Sequence, residues 1–389
     1  MSEVTTVTYL DHAATTPMRA EAVRAMQPYL AELFANPSGS HASARSARRA
    51  VDDARDAIAA TIGCQPGEVV FTGGGTESDN AAVLGAVRRH GGVAVCSAAE
   101  HHAVLHCVEH VGGAVVGVDS AARIDVDALA TVVRRPEAGA VSVVSVMAVN
   151  NEVGSISPLE RVARIVRTRA PGAILHTDAV QAPCWLDLRH LWPHVDVMAL
   201  SAHKFGGPKG VGIMAVRQGV ALEPLIFGGG QERDRRSGTH NVAGIVAAAE
   251  ALRLTHERRP QESERISRLR SRLVDGLHAG LDGVHDTVPA DEAVPGIAHV
   301  CVEGVESEAL LFLLDRAGVC ASAASACASG ALAGSHVLAA MGVPGHLAGG
   351  ALRLSLGHTT TVADVDRGVD AIVDTVTALR RRAAGVAAS

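Results

Sequence analysis

The 389 residues, 48% of them hydrophobic, suffice for a substantial core shared between two domains. A net charge of -6 offers no basic surface to draw the chain onto nucleic acid or anionic lipid, and the longest apolar stretch, around Val141–Val149, is too short to span a bilayer. Met1–Pro17 has neither a basic start nor an apolar signal core, so the expectation is a cytoplasmic protein without direct nucleic-acid or membrane binding.

From about Ala20 to Ile245 short apolar runs alternate with amphipathic segments, the pattern of a doubly wound, mostly parallel sheet with helices on both faces, an α/β fold. The predicted strands are Val69–Thr72, Val93–Ser97, Val115–Val118, Val141–Val146, Ile174–Thr177, Val197–Ser201 and Gly212–Val216. A charged helical stretch from about Ala251 to Leu281, carrying Arg253, Glu257, Glu264, Arg265, Arg268 and Arg272, reads as a long connector with a solvated face. A smaller α+β domain follows, with strands Gly296–Val302 and Ala351–Ser355 and helices Ser307–Ala317 and Val362–Arg380, and then a frayed tail, Arg381–Ser389. The expected division is a large domain of 15–255 and a small domain of 1–14 with 256–389.

The seven cysteines are an odd, scattered set without a C-x-x-C pair, which argues against a disulfide framework and a structural zinc cluster. Lysine is more informative, because Lys204 and Lys209 are the only two in the chain. Arginine replaces lysine as a surface charge but not as an amine nucleophile, since its guanidinium forms no imine with a carbonyl cofactor.

Three strand ends carry candidate chemistry. After Val69–Thr72, Gly73–Gly75 lead at once into a helix beginning near Thr76, an arrangement that cradles anions with exposed backbone N–H groups. Taken alone it equally suits a plain tight turn, and it matches neither G-x-G-x-x-G nor a P-loop. Asp178 follows the strand from Ile174, at the carboxyl edge where such sheets bind ligands, suited either to hold a pyridinium nitrogen protonated or to cap a helix. Lys204 ends the strand from Val197, on the same edge, whereas Lys209, between Pro208 and Gly210, reads as a turn residue. Ser201 and His203 beside it suit phosphate contacts or local turn bonds. His102, His106 and His110 share one helix face, but no acid motif accompanies them, so a histidine stripe is expected and no metal.

The stretches Tyr9–Pro17, Gly75–Asn80, Val149–Gly154, Asp178–Gln181, Ser201–Lys204, Arg236–Thr239, Ser325–Cys327 and Arg353–Ser355 together resemble the NifS/IscS-like cysteine desulfurases, within the pyridoxal-phosphate (PLP) dependent class V aminotransferases. The resemblance implies a fold type I PLP transferase that converts L-cysteine to L-alanine. Lys204 would bind PLP and move the Cα proton, and His101 would stack on the ring and shuttle a proton. Asp178 would pair with the ring nitrogen and Gln181 with the ring oxygen, while Gly75, Thr76, Ser201 and His203 hold the phosphate. Thr239 would complete the phosphate site of the neighbouring subunit, making a homodimer. Asn151 and Arg353 would bind the substrate carboxylate, and Cys327, in a run of small residues, would carry the sulfur as a persulfide to an acceptor protein. Acceptors implied are proteins of iron–sulfur cluster assembly, tRNA thiolation or DNA phosphorothioation. Gly73–Gly75 and His240-Asn241 depart from the family pattern, a change to the phosphate cup and the subunit contact that removes no reactive group. An aminotransferase or selenocysteine lyase sharing the pocket, and a catalytically idle sulfur-relay scaffold, stay open as rivals.

Overall fold

The structure is a computed structural model that describes residues 7–134, 140–323 and 334–387. Among these residues the strands, in chain order, are β1 (Thr8–Tyr9), β2 (Val69–Thr72), β3 (Val93–Ser97), β4 (Ala114–Val116), β5 (Val141–Ser145), β6 (Ile174–Asp178), β7 (Val197–Ser201), β8 (Gly212–Val216), β9 (Val284–Asp286), β10 (Ile297–Val302), β11 (Val319–Cys320) and β12 (Ala351–Ser355). Seven form a sheet in the order β2-β8-β7-β6-β5-β3-β4, parallel throughout except for β8, which runs antiparallel to both neighbours. Its central strands are buried at nearly every position, which is why they read as continuous apolar runs rather than as alternating ones.

Helices cover both faces. Ala42–Ile62 and the first third of the helix Val242–Gly280 bury Ile58, Ile62, Ile245 and Leu252 against one face, with Leu175, Leu200 and Ile213 of the sheet. Gly75–His90 and His102–His110 pack Val83, Ala86, Val104 and Val108 against Val70, Val143 and Met214 on the other. A separate apolar cluster fills the second unit, where Leu269, Leu273 and Leu277 meet Val300, Leu310, Leu352 and Ile372. Here β12, β10 and β9 form an antiparallel sheet, and β1 pairs in parallel with β11.

Two sequence readings need correction. The connector helix starts at Val242, not near Ala251, because the alanine-rich run Val242–Ala251 is itself helical and buried, with Asn241 Oδ1 capping Gly244 N–H at 3.0 Å. The C-terminal helix Val362–Ala387 continues through the expected frayed tail, whose arginines and alanines are strong helix formers.

The loop before Thr239 is anchored by a buried charge. Glu232, Arg233 and Asp234 adopt φ of 51°, 58° and 62°, the left-handed region that non-glycine residues disfavour. Glu232 offsets that strain by accepting from both Arg55 Nη atoms, at 2.9 and 2.6 Å, and from Phe71 N–H at 3.0 Å, and by bonding His240 Nε2 at 2.6 Å. Burial alone would raise the Glu232 carboxyl, but the His240 and Arg55 hydrogen bonds hold it down at about 2. Arg55 in turn lies over the Phe71 ring, 4.6 Å from its centroid. Removing the carboxylate leaves the buried Arg55 charge unpaired, with only the Val69 carbonyl accepting from Nη1 at 2.6 Å, so Glu232→Ala should lower the unfolding free energy by about 3–5 kcal/mol in denaturant titration. A loss below about 1 kcal/mol, the scale of a surface pair, would mean that other contacts hold this loop.

Candidate active site

The carboxyl ends of β2, β6 and β7 and the start of the helix His102–His110 open onto a cavity of about 860 Å³. Parallel strands bring their ends to one edge, so residues more than a hundred positions apart in sequence meet there.

At one end of the cavity lie Gly75, Thr76, Ser201 and His203. Gly75 opens a 16-residue helix, whose first N–H groups have no partner within the helix. A Cβ on Gly75 would come within 2.9 Å of Val180 Cγ2, and one on Gly212 within 2.5 Å of the Gly74 carbonyl carbon, so the loop is pressed onto β8 more closely than a side chain allows. Glu77 ties it down, accepting from Gly73 N–H at 2.8 Å and from Arg236 Nε at 2.9 Å. Burial pushes His203 down to about 4, with Lys204 and Lys209 adding to the effect, so it is a neutral imidazole, its Nδ1 3.1 Å from Thr15 Oγ1.

The centre is set by Asp178 and Lys204. Asp178 is 6% exposed at the end of β6, and its Oδ1 accepts from Val180 N–H at 2.9 Å. Burial, reinforced by Asp79, raises its carboxyl to about 6, which still leaves it ionised at neutral pH. Lys204 closes the short turn after β7, and its Nζ donates to the carbonyls of Ala13 and Ala14 at 2.6 and 2.7 Å. Gln181 Nε2 donates to the same Ala13 carbonyl at 2.8 Å. His101 caps the helix His102–His110, its Nδ1 accepting from Ala103 N–H at 3.1 Å, which leaves the proton of the neutral ring on Nε2. Burial lowers its pKa, Lys204, His102 and His336 lower it further, and Asp178 opposes them.

Arg353 reaches the cavity from β12 of the second unit. It is 5% exposed, donates from Nη1 to the Asn151 carbonyl at 3.0 Å and from Nη2 to Asp11 Oδ1 at 2.6 Å, and its Nε is buried without a partner among the described residues.

Ten of the twelve predicted site residues thus line one cavity. Thr239 does not: it is exposed on the loop anchored by Glu232, away from the cavity of its own chain. Cys327 lies outside the described residues. Sequence reasoning passed over Asp11 and Asp79, which also line the cavity, and Lys209, which lines it while occupying the expected turn. Asp79 carried a signal, since it shares the apolar helix face of Ala82, Val83 and Ala86. The His102 ring centroid lies 4.7 Å from that of His106 and 4.5 Å from that of His336.

Residues 8–367 match the class-V aminotransferase family model. The chain is 43% identical over 390 aligned residues to an IscS-like cysteine desulfurase of Mycobacterium tuberculosis, covering 97% of this chain and 98% of that protein. A NifS-like protein of known structure superposes with a TM-score of 0.87 at 35% identity, over 95% of this chain and 99% of the other. SspA in complex with cysteine superposes with a TM-score of 0.76 at 30% identity, over 90% and 98%. The matched span takes in both units and every strand end that lines the cavity, and the chain therefore belongs to the class-V aminotransferases, a family that works with PLP.

Proposed function

We propose that this chain is a cysteine desulfurase that converts L-cysteine to L-alanine and passes the sulfur, as a persulfide on Cys327, to an acceptor protein in the cytoplasm. The observation that carries this reading is the convergence of an amine, Lys204, a buried carboxylate, Asp178, and a guanidinium, Arg353, on one cavity. The desulfurase name of the relative and the cysteine held by SspA favour it over an aminotransferase.

PLP fits the residues present. The glycine cradle of Gly73–Gly75, with Thr76, Ser201 and neutral His203, suits its phosphate; Asp178, ionised and desolvated, suits its ring nitrogen; Lys204 is the amine lining the same cavity. When bound, the cofactor supplies the electron sink for breaking bonds at the substrate's Cα. Gln181 has one Nε2 hydrogen left, beyond that given to Ala13, for the ring oxygen. Arg353, held in place by Asn151 and Asp11, presents a fixed guanidinium to the substrate carboxylate. Lys204 moves the Cα proton, and His101 carries protons at Nε2, its Nδ1 being fixed as an acceptor. The Cys327 sulfur bonds to the substrate sulfur as the substrate's carbon–sulfur bond breaks. The electron pair stays on that carbon, which takes a proton and leaves as alanine, while the enzyme thiol is oxidised to the persulfide. Carbon is reduced as sulfur is oxidised, so no outside redox partner is needed.

The other cysteines are poor rivals. Burial pushes Cys64 up to about 12 and Cys107 and Cys184 up to about 11, and it raises Cys96, Cys301 and Cys320 as well, so all six stay protonated thiols at neutral pH. The Cys327→Ser holoenzyme should keep the parental cofactor absorption yet carry no persulfide in mass spectra after exposure to cysteine. Desulfuration at the parental rate, or extra sulfur on Cys320, would defeat this assignment.

We read the active unit as a homodimer, with a large domain of 15–255 and a small one of 1–14 with 256–389. The separate apolar cores support that division, although one helix runs through the junction at 255–256. Thr239 points to the neighbouring subunit's phosphate site because it is exposed outside its own cavity. Beside it Ile226 and Phe227 stand 39% and 72% exposed, with the Ile226 carbonyl accepting from Ser237 N–H at 3.2 Å. Mixed dimers of a Lys204→Ala chain and a Thr239→Ala chain should then regain one intact site in two, with about half the parental turnover per dimer. If Thr239 serves its own chain, every site in the mixture carries a defect and no turnover returns.

A further inference from the structure

Two polar groups buried beneath Asp178 take no part in the chemistry above. Asp79 is 1% exposed and His176 is 0% exposed. Asp79 Oδ1 and His176 Nε2 each lack a hydrogen-bond partner among the described residues, and they face one another at 3.5 Å. The other ring nitrogen, His176 Nδ1, lies 2.8 Å from Ser145 Oγ on the adjacent strand β5. Residues 176 and 178 of β6 lie on the same face of the sheet, the face covered by the helix Gly75–His90 that carries Asp79.

Leaving two such atoms unsatisfied in the interior is unfavourable, and a single proton between them satisfies both. Electrostatics decides where the proton sits. The titratable groups around Asp79 are His176 and Asp178 from β6, Glu100 after β3, and Cys107 from the helix His102–His110. Three of these neighbours and Asp79 itself are acids, so in a region this dry the charges compete. Asp178 has the strongest claim to one, because it accepts a backbone N–H and lies near His101 at the cavity. Burial pushes the Glu100 carboxyl well above the ordinary carboxylate range, although its Oε1 accepts from Met147 N–H at 2.6 Å. Burial likewise raises Asp79 to about 8 and lowers His176 to about 4, which leaves a protonated acid facing a neutral imidazole.

We propose that Asp79 and His176 form a buried couple in which Asp79 donates a proton to His176 Nε2 and His176 donates from Nδ1 to Ser145, leaving the negative charge of this acid cluster on Asp178. Asp79 is then a positioning residue: by holding a proton itself it leaves Asp178 as the ionised carboxylate. This rests on the reading of Asp178 as the partner of the cofactor's ring nitrogen.

Infrared pH-difference spectra of the holoenzyme test the couple, because a protonated carboxyl has a carbonyl stretch that a carboxylate lacks. The wild type should show such a stretch at neutral pH, titrating near 8, and the Asp79→Asn variant should lack it. The cofactor's visible absorption should follow the same titration in the wild type and lose that step in Asp79→Asn, a response that a purely structural role would not produce. Identical carboxyl stretches in the two proteins would overturn the proposal. Should Asp79→Asn fail to fold, His176→Leu serves instead: removing the acceptor should move the Asp79 stretch to higher frequency, and an unmoved stretch would overturn the couple. Asp178→Asn separates the two readings. Cofactor affinity at the parental level in that variant would sink the role of Asp178, and with it the positioning role, while a persisting Asp79 stretch would keep the couple.

Discussion

A buried carboxylate is the constraint on which the rest of this structure depends. Asp178 ends a fully buried strand, so its charge is poorly solvated and its pKa is raised by burial. One backbone N–H offsets part of that penalty, and a cationic ring nitrogen over the carboxylate would offset much more. The neighbouring features can be ordered around this requirement. The glycine loop after β2 and Lys204 after β7 line the same cavity as Asp178, and the sheet holds the three in place because each lies at or just after the end of a strand.

The substrate end is built differently. Arg353 comes from β12 of the second unit and is held by Asp11, from the N-terminal segment, and by the Asn151 carbonyl, from the loop after β5. The N-terminal segment therefore does two jobs. Its β1 strand pairs with β11, and the residues just after it supply the Ala13 and Ala14 carbonyls that hold Lys204 and the Asp11 carboxylate that holds Arg353. Lys204 and Arg353 are thus held by one structural strap, so a change in Asp11–Ala14 reaches both.

Much of this was legible in the amino-acid order. Continuous apolar runs marked the buried strands, and because parallel strands present their ends on one edge, Asp178 and Lys204 could be placed together before any coordinates. What stayed hidden has physical reasons. The Arg353–Asp11 pair joins positions 342 apart, and no local pattern encodes a contact of that span. Asp79 sits within a motif whose visible message was an anion cradle, and only burial exposes its partner His176. Thr239 lies outside the cavity of its own chain, and its place in the sequence carries no sign of that. The connector helix began nine residues early because an alanine-rich run has too little amphipathic contrast to mark a helix end.

The claim that a desolvated Asp178 organises the site is tested most directly by the protonation of the ring nitrogen itself. Holoenzyme prepared with PLP carrying nitrogen-15 in the ring would report it by nuclear magnetic resonance. A protonated nitrogen across the neutral pH range in the wild type, and a neutral one in Asp178→Asn, is the expected result. A neutral ring nitrogen in the wild type would contradict the account.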